Sequence, residues 1–97
     1  MDNLKVATAS QASLKKVPFV VRAKNASSVA ITGDFTRWSA EGIALRKGVN
    51  GEWRTTLELK PGEHQYRLII DGQWSDDPQA VKRQPNPYGG QNCILTI

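Results

Sequence analysis

The chain has 97 residues, enough for one domain with a small core and too few for a second. Thirteen Lys and Arg against nine Asp and Glu leave a formal net charge of +4, and hydrophobic residues make up 39%, with no run near the ~18 apolar residues of a membrane span. The single cysteine, Cys93, excludes a disulfide within the chain, and MDNLKVATASQASLKK lacks the apolar segment of a secretory signal, so a cytoplasmic protein is expected.

Residues 1–16, rich in Ser, Ala, Lys and Gln and without periodicity, predict a disordered or loosely attached tail. The starting Met and this short tail favour a free-standing protein. A folded domain is expected over 17–97. Pro18-Phe19-Val20-Val21-Arg22 reads as a first strand, and Val29-Ala30-Ile31-Thr32 as a second that stops at Gly33-Asp34. Ile43-Ala44-Leu45-Arg46 alternates up to Gly48. Asn50-Gly51 then gives the strongest short hairpin signal. From Glu52 to Leu59 the alternation is clean, with Trp53, Thr55, Leu57 and Leu59 on one face. Pro61-Gly62 breaks the chain before a strand over His64–Ile70, and Asp71-Gly72 turns it into Gln73-Trp74-Ser75. A Pro/Gly/Asn-rich loop over 77–92 precedes a last strand, 93–97. No segment has helical periodicity, and turn signals recur at the spacing of a sandwich. The expected fold is an all-β antiparallel sandwich of about seven short strands.

Catalytic chemistry finds little support in the residues. His64 is the only histidine, and it opens a strand, where a polar edge residue is the commoner occupant. Asp76 and Asp77 are neighbours, so in an extended chain they face opposite sides, and Asp77-Pro78 initiates a turn. One His, one Cys and scattered acids show no metal-ligand spacing, and Gly89-Gly90 sits in no phosphate-loop pattern. Cys93 reads as a small buried hydrophobe. No cofactor, metal or catalytic residue is expected. Basic residues fall in separate pairs rather than a stripe, which argues against nucleic acid, and no membrane partner is expected.

The aromatic residues carry more information. Trp53 lies mid-strand on the apolar face, as a core residue should, whereas Trp38 and Trp74 sit beside turns. An indole beside a turn either caps the core or offers a flat face that suits the C–H side of a sugar ring. Alternation along 64–70 puts His64, Tyr66, Leu68 and Ile70 toward the core and Arg67 on the opposite face, close to the turn that leads to Trp74. Guanidinium donors beside an indole fit a polyhydroxyl ligand.

The segment Val29-Ala30-Ile31-Thr32-Gly33-Asp34-Phe35-Thr36-Arg37-Trp38-Ser39 resembles the V-x-x-x-G-x-F-N-x-W segment of carbohydrate-binding module family 48. The stretch Gly62 to Trp74 resembles its G-x-H-x-Y-K-F-x-V-D-G-x-W segment, and Asp77-Pro78 and Asn86 to Asn92 also have counterparts there. That family includes the glycogen-binding domain of the AMP-activated protein kinase beta subunit and the N-terminal domains of branching enzymes and isoamylases. The resemblance implies an immunoglobulin-like, early-set sandwich that binds α-1,4-linked glucans. It implies that Trp38 and Trp74 stack on glucose rings and that Arg67, in the place of a lysine, bonds sugar hydroxyls. It also implies a sugar-contacting asparagine in the last loop, Asn92 or its neighbour Gln91. That loop reads Pro87-Tyr88-Gly89-Gly90 where the kinase domain has a leucine. Tyr88 supplies a third sugar platform, or the loop is of the branching-enzyme type.

The expected function is therefore a non-catalytic module for glycogen, starch or maltooligosaccharide. The expected partner is an α-glucan polysaccharide or maltooligosaccharide, together with a glucan-metabolising enzyme. The alternative is a module of the same fold that has lost sugar binding and uses Trp38 or Trp74 to anchor a glucan enzyme or kinase-type partner.

Overall fold

The computed structural model describes residues 14–97. Nine strands follow in chain order: β1 (Lys15–Arg22), β2 (Val29–Gly33), β3 (Ile43–Ala44), β4 (Arg46–Lys47), β5 (Glu52–Leu59), β6 (Glu63–Ile70), β7 (Gln73–Ser75), β8 (Lys82–Pro85) and β9 (Gln91–Thr96). A 3-10 turn, Asp34–Thr36, follows β2. Of the tail expected over 1–16, residues 1–13 lie outside the described residues, and Lys15 and Lys16 pair with Leu59 and Glu58 in the first sheet.

All pairings are antiparallel and form two sheets. The smaller has the order β1-β5-β4; the larger runs β3-β2-β6-β9-β8, with β7 also paired to β6. Strand β6 is the spine of the larger sheet. It pairs with β2 on one side, and on the other with β9 along its first half and β7 along its second. The core fills the space between the sheets. Phe19 and Val21 of β1 and Trp53, Leu57 and Leu59 of β5 meet Ile31, Tyr66, Leu68 and Cys93 of the larger sheet. Trp53, only 5% exposed, is the expected core tryptophan, and its indole N–H donates to the Ala23 carbonyl at 3.1 Å. Phe19 meets Tyr66 edge-on, ring centroids 5.4 Å apart.

Both hairpins foreseen from the sequence form as left-handed two-residue turns. Asn50 and Gly51 have φ of 58° and 76°, Asp71 and Gly72 of 52° and 82°, which is the twist that suits a tight β-hairpin. Asp71 does a second job: its Oδ1 accepts from the backbone N–H groups of Ser27 and Ser28 at 2.7 and 2.9 Å, tying the β1–β2 loop to the β6–β7 hairpin.

The strand expected over Ile43–Arg46 is divided between the two sheets. Ile43 and Ala44 pair with β2, whereas Arg46 and Lys47 pair with β5. Leu45 is the pivot: its N–H bonds the Val29 carbonyl at 2.9 Å and its side chain is buried between the layers. Burying that leucine requires the chain to cross from one layer to the other. The expected 77–92 loop also contains strand β8, whose four residues are all exposed.

Candidate functional site

The turn after β2 sets up the first half of the site. Gly33 lies flat against β6, where a Cβ would come within 2.3 Å of the Gln65 carbonyl oxygen and 2.8 Å of the Phe35 ring. Only glycine allows this approach. Arg37 and Trp38 both take left-handed backbone conformations, φ 56° and 57°, which costs a non-glycine residue about 1–2 kcal/mol each. Hydrogen bonds hold them there. Trp38 N–H donates to the Gly33 carbonyl at 2.9 Å, and the fully buried Thr32 hydroxyl donates to the Ser39 carbonyl at 2.7 Å. Thr36 Oγ1 accepts from Gly33 N–H at 3.1 Å, and Asp34 Oδ2 accepts from Gln65 N–H at 3.0 Å, fixing the turn to β6. The outcome is one indole thrown over the outer face of the larger sheet.

The second indole comes from β7. Register places Trp74 opposite Ile69, so it lies on the same outer face, and it is 42% exposed. The Trp38 and Trp74 rings stack with centroids 6.3 Å apart and planes inclined by 24°. Residues 38 and 74, far apart in the chain, thus bring their rings together at one place on that face.

Polar groups sit beside it. Gln65 and Arg67 share the outer face of β6, and Asn92 reaches the same face from β9. Arg67 Nη2 donates to Asp76 Oδ1 at 2.9 Å, while Arg67 Nε is buried with no hydrogen-bond partner. Asn92 Nδ2 donates to Gln65 Oε1 at 2.9 Å, and Asn92 Oδ1 accepts from Asn86 Nδ2 at 3.1 Å. Asn86 also organises the loop, its Oδ1 accepting from the N–H groups of Tyr88 and Gly90 at 3.0 and 3.1 Å. Trp38, Gln65, Arg67, Trp74, Tyr88 and Asn92, with Asn86, Pro87 and Gly90, line a single open groove of about 610 Å³.

Five of the six residues singled out from the sequence therefore converge: Trp38, Trp74, Arg67, Asn92 and Tyr88. Tyr88 stands at the rim, 93% exposed. Gln91 does not line the groove; of the two candidates in the last loop, the alternation of β9 puts Asn92 on the outer face beside Gln65, and Gln91 is exposed outside the groove. Gln65 and Asn86 were missed. Gln65 had a signal, since it lies two residues from Arg67 on the same strand face, whereas Asn86 acts only through hydrogen bonds that the fold creates.

The remaining polar residues have structural work. Asp77 is buried, accepting from the Tyr66 hydroxyl at 2.6 Å and, at Oδ1, from Gln79 N–H at 2.9 Å as a turn former. Asp76 points away to Arg67, so the two neighbouring carboxylates do face different surroundings. His64 Nε2 lies 2.8 Å from the Lys60 carbonyl and Nδ1 3.5 Å from Asp34 Oδ1, bracing the strand start. Among the described residues no group of three or more His, Cys, Asp or Glu could hold a metal ion, and no helix is long and apolar enough to cross a membrane.

The family described as the glycogen recognition site of AMP-activated protein kinase matches residues 17–97. The chain belongs to this family. Relatives of this glycogen-recognition domain fall in several kinds of protein. It is 36% identical over 84 residues to Protein PTST homolog 2, chloroplastic, of Arabidopsis thaliana, covering 87% of this chain and 15% of that protein. It is 42% identical over 62 residues to the 5'-AMP-activated protein kinase subunit beta-2 of Homo sapiens, covering 63% of this chain and 22% of the subunit. It is 34% identical over 85 residues to a 1,4-alpha-glucan branching enzyme of Salinibacter ruber, covering 80% and 14%. The chain thus spans less than a quarter of the length of each of these proteins.

Proposed function

We propose that this chain is a non-catalytic α-1,4-glucan binding module and that the Trp38–Trp74 groove is where the sugar lies. The observation that carries this is the stacked indole pair beside Arg67, Gln65 and Asn92 in one groove. Indole faces accept the C–H side of glucose rings, and the flanking amides and guanidinium take hydroxyls, so stacking and orientation are supplied by different groups. Membership of a glycogen-recognition family and likeness to a 1,4-alpha-glucan branching enzyme support an α-linked glucose polymer as the ligand.

Arg67 has its position fixed by Asp76 and keeps donors to spare among the five of a guanidinium. Asn92, with its amide oriented by Gln65 and Asn86, presents a pre-set donor and acceptor rather than a mobile one. Tyr88 adds a third platform at the rim. An open groove of this kind binds a single oligosaccharide weakly, and a polymer gains affinity by presenting many copies.

The test is an NMR titration of backbone and indole N–H signals with β-cyclodextrin and maltoheptaose, using cellohexaose as the control. Saturable shifts at Trp38 and Trp74 with the α-linked ligands alone are expected. Trp38→Ala and Trp74→Ala should each lower affinity at least about tenfold, some 1.4 kcal/mol, with the dispersion of the spectrum retained. Absence of any shift at millimolar ligand would sink the proposal, and shifts produced equally by cellohexaose would remove the α-linkage preference.

A further inference from the structure

The outer face of the smaller sheet carries a second, chemically different groove. It is lined by Pro18 and Val20 of β1, Ala44 of β3, Arg46 of β4, and Arg54 and Thr56 of β5. Strand alternation explains why these side chains are outside: Phe19, Val21, Trp53 and Leu57 take the core positions between them. The cross-strand register then sets Arg46 directly opposite Arg54, with Val20 opposite Arg54 on the other side. Like charges directly opposite on a sheet face are unfavourable. Farther along β1, Arg22 and Lys16 stand opposite Glu52 and Glu58 of β5, so the unbalanced positive charge is concentrated at Arg46 and Arg54. Glu52 is shared, 2.6 Å from Arg54 and 3.7 Å from Arg22, and no carboxylate lines the groove itself. Among the described residues Arg46 makes no ion pair. Between the guanidinia the floor is apolar, with Val20 41% exposed.

We infer that this face docks an acidic protein segment, on the side of the sandwich opposite the sugar groove. The occupant follows from charge and shape together. Two guanidinia on one row match carboxylates, which they bind as planar forks. The Pro18, Val20 and Ala44 floor matches apolar side chains placed between those carboxylates, as an extended chain with alternating acidic and apolar residues would place them. No aromatic side chain lines the groove, so nothing there stacks a base or a sugar ring, and an apolar floor has no use for a phosphodiester backbone. The two sheets turn their outer faces away from each other, so a partner seated here leaves Trp38 and Trp74 free.

Fluorescence anisotropy with a short labelled peptide alternating glutamate and leucine tests this. Saturable binding that weakens with added salt is expected, with NMR shifts on Val20, Arg46 and Arg54. The double variant Arg46→Glu, Arg54→Glu should lower affinity at least about tenfold while remaining folded, because both side chains are exposed and only the surface Arg54–Glu52 pair is lost. Arg46→Gln, which leaves β5 untouched, should lower it by a smaller factor. Undiminished binding by the double variant, or shifts confined to Trp38 and Trp74, would overturn the assignment. So would a DNA oligonucleotide of matched charge that bound this face as tightly as the peptide.

Discussion

Tyr66 joins the interior to the turn that follows β7. Its hydroxyl donates to the buried Asp77 carboxylate, the Asp77 carbonyl accepts from Arg83 Nη2 at 2.9 Å, and Asp77 N–H points to Cys93 Sγ at 3.4 Å. Removing the hydroxyl leaves a buried carboxylate oxygen short of a donor, so Tyr66→Phe should destabilise by about 1–3 kcal/mol in chemical denaturation. Burial, reinforced by the bond to Asp77, pushes the Tyr66 phenol far above its ordinary value, and burial likewise pushes the Cys93 thiol up. Both groups hold their protons more tightly in the fold than in the unfolded chain, which loses them at their ordinary values, 9.0 for the thiol and 10.0 for the phenol. Above those values the unfolded state binds fewer protons than the native state. Their contribution is therefore complete at neutral pH and is lost as pH rises. Denaturation midpoints should fall from about pH 8 to about pH 11, and Tyr66→Phe should flatten the upper part of that decline. A midpoint that rose or held steady across the range would contradict the burial described for both groups.

Among the elements, the turn after β2 has the least freedom to change. Gly33→Ala would drive a Cβ into the backbone of β6, and Trp38 hangs from the Gly33 carbonyl. The variant should lower the melting temperature and broaden the Trp38 indole signal; an unchanged spectrum would show that β6 can yield. The strands with alternating burial and the two left-handed hairpins were legible in the sequence, because local signals agree with what the fold requires. Strand β8 was not. Its residues Lys82 to Pro85 alternate nothing, and what orders them is pairing with β9, the Lys82–Glu63 ion pair and the bond from Arg83 to the Asp77 carbonyl, all of them tertiary. The division of 43–47 between two sheets was hidden for the same reason, since periodicity reports which side chains are inside and not which layer they enter. In the groove, Trp38, Trp74 and Arg67 could be found from turn position and strand parity. Asn92 came from the family resemblance and Gln65 had a parity signal, but the hydrogen bonds that link Asn86, Asn92 and Gln65 were not legible, because Gln65 and Asn92 meet only after β9 has paired with β6.

At the scale of the molecule, two layers give two outer faces of opposite character, one with indoles and amides, the other with guanidinia over an apolar floor. The core between them is a layer of buried, mutually packed side chains, and the two faces share no lining residue. Saturating maltoheptaose should leave the affinity for the acidic peptide unchanged within about twofold, which anisotropy in the presence and absence of sugar would read. A larger coupling would mean that the faces communicate through the core. The groove also draws its lining from the start, middle and end of the folded region, residue 38 to residue 92, so it has no counterpart in the unfolded chain. Any ligand that fills it binds the native state alone and adds RT ln(1 + [L]/Kd) to the free energy of unfolding. A domain of this size has little stability in reserve. If α-glucan is that ligand, as proposed, it would act as the domain's chaperone, and added maltoheptaose should lengthen the domain's lifetime against proteases.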